Sequence, residues 1–559
     1  MQAKFRDMQK LLIILSLLLA FAQKTSATEK YEIRAAWITT IGGLDWPASK
    51  ATSAYGIKRQ KDELCRQLDI LKEANFNTVL FQTRLRGDVV YPSLYETFAE
   101  SLAGETGRNP GYDPLKFAIE ECHKRGLELH AWIVCIPIGN DRQVKLLGKS
   151  SVVKKNPDMC IHFKKAWYLD PGNPNTAGYL SAIAKEITTC YDIDGIHLDY
   201  IRYPENGENF PDNKTFRKYG KGKDISQWRR DNITAIVRRI YNEVKSIKPW
   251  VKVSSSPVGK YNDTRRYSSK GWNAYSAVYQ DVKLWLKTGI QDVIFPMMYF
   301  RDNQFYPFAL DWQENKHGRW VVPGLGIYFL KYKNHEWDIN EIMRQIYFTR
   351  RNKLDGQAFF RNEFLMKNTC GLTDSLTNKF YSSPAAVPPM TWQDSIPPSP
   401  PCNGNISYTA DGIALKWERP DSCKENISYR IYASTVYPVD TDNANNIICL
   451  KNSSNGFKYI SSDCDNLFWA VTSIDRFGNE SCPLELNTPD SNAPLVCVNK
   501  LPKIMEGSSI IINDITGIEL FRTQNEPEKI IKKLKEGIYK IQITSPDNKI
   551  RNITLFITD

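Results

Sequence analysis

The stretch Asp194–Gly195–Ile196–His197–Leu198–Asp199–Tyr200–Ile201–Arg202–Tyr203–Pro204 reads as a β-strand that runs into a polar end. Successive side chains of a strand point to opposite faces, so Ile196 and Leu198 share one face and His197 and Asp199 the other. If the apolar pair faces a layer of helices, His197 and Asp199 point into the interior of a barrel. A carboxylate there is costly to bury unless it is hydrogen-bonded, paired or used. Near His197 and Arg202 it is expected to stay ionised, which suits a nucleophile or base. The bland alternative is a structural aspartate closing a hydrogen-bond network.

Working outward, strand-like apolar runs occur at residues 32–39, 77–84, 128–135, 195–203, 251–257, 292–299, 320–327 and 357–363. Helical patterns lie between them, at 62–74, 114–125, 176–191, 226–246, 277–287 and 339–352, with apolar residues spaced by three and four, as in Leu64, Leu68 and Leu71. Nearly continuous apolar strands separated by helices predict a parallel sheet covered on both faces. Eight such units over roughly 330 residues predict an α/β fold, a (β/α)₈ TIM barrel over residues 31–382, with an open doubly wound sheet as the alternative.

The rest of the chain frames this barrel. With 559 residues, two to four domains are expected. Lys4, Arg6 and Lys10 precede an apolar run at 11–22, followed by Ser26 and Ala27, the pattern of a signal peptide over residues 1–27. The run falls short of the ~20 residues needed to span a bilayer, so no membrane span is expected and the mature protein is placed in the periplasm or outside the cell. The formal net charge of +12 is spread without a basic block, so no nucleic-acid partner is expected. Residues 383–401 hold seven prolines and predict a semi-rigid linker. Short alternating strands follow at 413–417, 429–432 and 468–474, predicting a β-sandwich over 402–490, and a further small β-domain is expected over 493–559. Six of the twelve cysteines fall after residue 400, where thin β-domains profit most from cross-links.

In such a barrel the active site lies at the C-terminal strand ends. The second strand ends in Arg84, with Asp88 just beyond; the third carries Trp132, and Asp170 follows it. The fourth supplies His197, Asp199, Arg202 and Tyr203, the sixth Tyr299 and then Asp302, the eighth Glu363. Hydrolysis of a glycosidic bond usually needs a protonated acid beside an ionised carboxylate. Asp199 with Glu363 or Asp302 form the candidate catalytic set, and Asp170 and Asp88 are further partner carboxylates. His197, Arg84, Asp88, Trp132, Arg202, Tyr203 and Tyr299 are candidate substrate contacts. Aromatics crowd the same regions (Trp37, Trp46, Tyr91, Trp272, Trp312 and Tyr328 among them), and flat rings stack on the C–H faces of sugars. No zinc, serine-hydrolase or P-loop signature occurs, and with six histidines and no ligand cluster neither a metal nor an organic cofactor is expected.

The residues 34–38 (Arg-Ala-Ala-Trp-Ile), 81–84 (Phe-Gln-Thr-Arg) with Gly87–Asp88 and Tyr91–Pro92–Ser93, 110–115, 130–132, 192–199, 228–230, and Asp281–Val282 with Trp285 together resemble the glycosyl-hydrolase-like ten family of exported bacterial proteins, through about 33–380. That resemblance implies a TIM barrel and glycosidase activity, with peptidoglycan glycan strands a substrate for some members, and it implicates Asp199 most directly. Three positions depart from it: Tyr200 where many members carry a second Asp, Val258 where many carry Phe, and Met297 where many carry Gln. Residues 468–481 are similar to the closing strand of a fibronectin type III domain. The expected function is hydrolysis of a polysaccharide, and the alternative is a non-catalytic carbohydrate-binding protein on a degenerate barrel. Linkage, stereochemical outcome and oligomeric state are not readable.

Overall fold

Short apolar strands delivered by amphipathic helices leave few ways to bury both surfaces. The computed structural model describes residues 29–205, 207–331, 336–409, 412–420, 426–460, 467–487, 496–498, 509–514, 517–523, 534, 537–544 and 550–557. The expected signal peptide lies outside the described residues. The barrel elements in chain order are β1 (Ile33–Ile38), α1 (Ala54–Glu73), β2 (Thr78–Arg84), α2 (Pro114–Lys124), β3 (Glu128–Val134), α3 (Pro174–Cys190), β4 (Gly195–Asp199) and α4 (Ile225–Ile247). They continue as β5 (Lys252–Ser255), α5 (Val282–Lys287), β6 (Val293–Ile294), α6 (Tyr306–Glu314), β7 in two segments (Trp320–Val321 and Gly324–Leu325), α7 (Ile339–Arg351) and β8 (Gly356–Phe359). Ser53, Asp113, Asn173, Asp224, Asp281 and Asp338 cap helices by accepting a backbone N–H of the first turn.

All eight strands pair in parallel, and β7 closes the ring. Its first segment pairs with β6 and its second with β8. The expected single strand 320–327 is interrupted at Pro323, which has no N–H to donate. Its carbonyl still accepts from the Ala358 N–H at 3.0 Å, so the ladder continues across the break. The fold is a TIM barrel.

Alternation along each strand sorts the residues into two cores. Ile38, Val79, Phe81, Leu129, Ile133, Ile196, Leu198 and Val253 face the helices and share a core with Leu64, Leu68, Leu71, Leu180 and Ile236. Trp37, Leu80, Trp132, Phe295, Val322 and Ala358 fill the interior. The Pro-rich stretch forms no helix or strand, yet it is no free spacer. Met390 joins the interior cluster from below, Asn77 donates to the Ala385 carbonyl at 2.9 Å, and Trp392 donates to Asp292 at 3.0 Å. The expected linker is the floor of the barrel.

Beyond it, a three-stranded sheet (Cys402–Thr409, Gly412–Glu418, Gly456–Ile460) faces a four-stranded one (Ile447–Asn452, Ser428–Ser434, Phe468–Ile474, Leu484–Glu485) across a core of Ile413, Leu415, Trp417, Tyr429, Ile431, Trp469 and Val471. The last described strands form a separate five-stranded sheet. The sandwich meets the barrel at the N-terminal strand ends, through Arg476–Asp192 at 2.5 Å and Lys451–Asp194 at 3.5 Å. That leaves the C-terminal ends clear of it. Cys65, Cys122, Cys135, Cys160, Cys190 and Cys370 of the barrel are free thiols.

Candidate active site

Asp199 is the last residue of β4 and is 6% exposed. One carboxylate oxygen accepts from Ser256 Oγ and from the Tyr200 N–H, both at 2.8 Å; the other accepts from Trp132 Nε1 at 3.1 Å. Burial pushes the carboxyl above its usual range; those donors and the Arg202 charge oppose the shift without cancelling it. Arg202 thus favours the anion as expected, while burial makes the group hold a proton more readily than a free aspartate does. His197 contributes no charge. Its Nε2 lies 3.3 Å from Trp37 Nε1, which can only donate, so Nε2 accepts and Nδ1–H faces Ser254 Oγ at 2.9 Å. Burial, with His130 nearby, holds this imidazole well below its usual range and thus neutral.

Around Asp199 the strand ends assemble a mouth. Tyr200, at φ +46°, is 42% exposed, and the Arg202 guanidinium sits 4.6 Å from its ring centroid. Tyr299 stacks on Phe360 with centroids 5.5 Å apart and meets Tyr328 edge-on at 5.7 Å. Burial and the Asp199 charge together push its hydroxyl well above its usual range. Beside this mouth opens a cavity of about 320 Å³, lined among others by Arg86, Lys164, Trp167, Tyr168, Tyr200, Arg202 and Glu205. A larger groove of about 540 Å³ runs along α4, lined by Arg238, Arg239 and Glu243. It lies on the outer helix, away from the strand ends where chemistry concentrates in this fold, so the smaller cavity is the candidate site.

The structure thus brings together Asp199, Trp132, Tyr200, Arg202 and Tyr299. Other expected groups are engaged elsewhere. Arg84 has no exposed surface: Nε and Nη2 donate to Glu96 at 2.7 and 2.6 Å and Nη1 donates to the Cys135 carbonyl at 3.0 Å, so it ties β2 to β3 instead of touching substrate. Tyr203 is fully buried, edge-on to Phe210 and Tyr279, and offers no sugar platform. Trp132 is interior, with its N–H on Asp199, which makes it a positioning group more than a stacking one. Glu363 binds Arg361 and Lys367; although burial raises its carboxyl, these cations outweigh it and hold it below the usual range. Asp302 is exposed on a short 3₁₀ turn. Asp88 is pushed to about 6 by burial and the neighbouring Glu96, and Asp170, held by the Gly172 N–H at 2.9 Å, is pushed to about 6 by burial. Sequence reasoning missed Arg86, Phe163, Lys164, Trp167, Tyr168 and Glu205. The run Phe163–Lys164–Lys165–Ala166–Trp167–Tyr168 carried the signal, three aromatics around a basic turn inside a long β3–α3 connection.

The profile of the family described as "Glycosyl hydrolase-like 10" matches residues 32–329. The chain is 31% identical over 493 residues to the Bacillus subtilis (strain 168) protein named glycosyl hydrolase YngK, covering 84% of this chain and 96% of that one. It is 31% identical over 297 residues to glycosyl hydrolase DigH of Escherichia coli (strain K12), covering 49% of this chain and 67% of that one. A solved structure of alpha-L-fucosidase isoenzyme 2 from Paenibacillus thiaminolyticus superposes with a TM-score of 0.43 at 14% identity, over 63% of this chain and 49% of that one. A profile spanning more than half of the chain, over the barrel that carries Asp199, and a relative aligned over nearly its whole length lead to one assignment: this protein belongs to the glycosyl hydrolase-like 10 family.

Proposed function

We propose that the protein is an exported glycoside hydrolase that cleaves glycosidic bonds within a polysaccharide, with Asp199 delivering a proton to the leaving oxygen. The observation that carries this reading is a buried carboxyl at the catalytic end of a TIM barrel, raised above its usual range and oriented by three donors. A general acid must hold its proton until the bond breaks, and burial without a compensating ion pair shifts the balance toward that form. Tyr200 and Tyr299 offer ring faces to the sugar, and Arg202 offers donors to its hydroxyls. Glu205, the carboxylate that lines the adjoining cavity, is the group to pair with Asp199 as base or nucleophile. Peptidoglycan glycan strands are the first substrate to test, given the signal-peptide pattern of the sequence. The paired three- and four-stranded sheets support a fibronectin type III spacer behind the barrel.

A second reading, carbohydrate binding without turnover, is favoured by one observation: Tyr200, next to Asp199, stands where many members of the family carry a second Asp. Incubation of the chain with purified cell-wall glycans and a plant-polysaccharide panel, with mass analysis of products, separates the two. Shortened glycans from the wild-type protein and none from Asp199→Asn, with affinity retained, is the expected result. Affinity without products from any glycan would establish the binding reading instead.

A further inference from the structure

The cavity beside Asp199 carries an excess of positive charge. Arg86, Lys164 and Arg202 line it with a single carboxylate, Glu205. Among the described residues none of the three cations has a carboxylate within ion-pair distance, whereas Arg84, Arg229 and Arg361 of the same barrel are each bound to at least one. Arg86 reaches only Gln143 Oε1, at 3.4 Å. Arg202 is 5% exposed; its Nη1 leans on the Tyr203 carbonyl at 3.4 Å, and its Nε is buried without a partner. An unmet guanidinium donor in a buried place is unfavourable unless something arrives to accept from it. The Nε edge, with Nη2, is the side of the fork that takes a carboxylate through two parallel bonds.

The third cation is held at a conformational cost. Lys164 and Lys165 form the two-residue turn between the strands Cys160–Phe163 and Ala166–Leu169, both at positive φ, +48° and +63°. Such turns favour Asn-Gly because residues with a Cβ resist that region. The turn sets Lys164 at the edge of the cavity, with its Nζ 5.2 Å from the Phe163 ring centroid. Trp167, Tyr168 and Tyr200 supply ring faces around the same space, the surface a pyranose stacks on.

We infer that this cavity is a subsite for a sugar that bears a carboxylate, with Arg202 taking the carboxylate and Arg86 and Lys164 supporting it. The inference rests on the reading of the mouth as a glycan site. The volume of about 320 Å³ falls at the low end of small-molecule sites, about 300–1,000 Å³, and suits one saccharide residue rather than a long chain. Two sources supply this chemistry: a uronic acid, with the carboxylate on the ring, and an amino sugar carrying a lactyl ether.

The test is calorimetric binding to the full chain carrying Asp199→Asn, so that affinity is read without turnover. Four oligosaccharides of matched length serve as probes: a neutral N-acetylglucosamine oligomer, an alternating oligomer with free lactyl carboxylates, the same oligomer with those carboxylates amidated, and an oligogalacturonate. One acidic oligomer is expected to bind about tenfold or more tighter than the uncharged ones, and the advantage should shrink as salt is raised. Which acidic oligomer wins identifies the source. Arg202→Met is expected to remove the preference; Lys164→Met, at an exposed turn where folding is not at risk, is expected to reduce it severalfold. Equal affinity for acidic and uncharged oligomers overturns the subsite, as does a preference that survives both substitutions. Turnover of glycans by the wild-type chain without an acidic preference removes the subsite and leaves the hydrolase standing; an acidic preference without turnover does the reverse.

Discussion

His197 and Asp199 lie two residues apart on one face of β4 and respond oppositely to the same burial. Desolvation disfavours whichever form is charged, so the imidazole is held neutral and the carboxyl is pushed toward its acid form. What distinguishes Asp199 is the set of donors that limits the shift, and this yields a signed prediction. Each N–H or O–H given to the carboxylate stabilises the anion, so Trp132→Phe or Ser256→Ala should raise the Asp199 pKa further. If Asp199 is the proton donor, activity falls as pH rises through that pKa, and either substitution should move the alkaline limb of kcat/KM upward by about one pH unit. A limb that stays or moves down removes Asp199 from the acid role. Asp199→Asn should lower kcat by on the order of 10²–10⁴-fold with KM little changed. Asp88 gives a stability counterpart. Its folded pKa of about 6 lies above its unfolded value, so its favourable contribution is present at low pH and lost as pH rises through about 6. Asp88→Asn should therefore raise Tm at pH 8, and the gain should vanish in scans at low pH.

At the scale of elements, the end of β2 shows how a polar group at a strand end can serve the scaffold. Arg84 and Glu96 are both buried and bind through two parallel hydrogen bonds, while Tyr179 adds a third contact to Glu96 at 2.8 Å. The pair fixes the segment after β2 and, through the Cys135 carbonyl, the exit of β3. Removing one partner leaves the other charge buried and unmatched. Arg84→Met should cost about 3–5 kcal/mol in urea unfolding, and the double variant Arg84→Met/Glu96→Leu should recover most of the loss. A single variant within about 0.5 kcal/mol of wild type would place Glu96 in contact with water. The same element explains why Arg84 looked like a ligand: the type of residue and its strand-end position were legible, but its partner, twelve residues on, was set by a loop.

Across the whole molecule, the first residues of the barrel are fastened to the sandwich through one buried carboxylate. Glu480 receives Arg430 Nη1 and Tyr432 Oη at 2.5 Å, Thr472 Oγ1 at 2.7 Å and Lys30 Nζ at 3.0 Å. Burial raises its carboxyl, but Arg430 and Lys30 outweigh that and hold it below the usual range. A depressed folded pKa means the stabilisation is present above the unfolded value and is lost as pH falls through the folded one. Glu480→Gln should therefore lower Tm markedly at pH 7 and much less in strongly acidic buffer, the difference read by calorimetry at both pH values. Arg476→Ala, which breaks a partly exposed pair with Asp192, should cost only about 0–1 kcal/mol. Equal effects from the two variants would show that the joint rests on its rim.

Local pattern determined the class of fold: strand parity sent Ile196 and Leu198 to the helices and His197 and Asp199 inward, and eight such units close into one barrel. It also put Asp199 on the inward face at the end of β4, where the structure has it. Periodicity carries no information on which polar group meets which across the barrel. Only the tertiary structure decided that Arg84 pairs with Glu96, that Glu363 is bound by Arg361 and Lys367, that a proline-rich stretch is a floor and not a spacer, and that Lys164, Trp167 and Glu205 meet Arg202 at one cavity. Those choices depend on contacts between residues far apart in the chain and on the balance of desolvation against charge, and both terms exist only once the chain has closed around them.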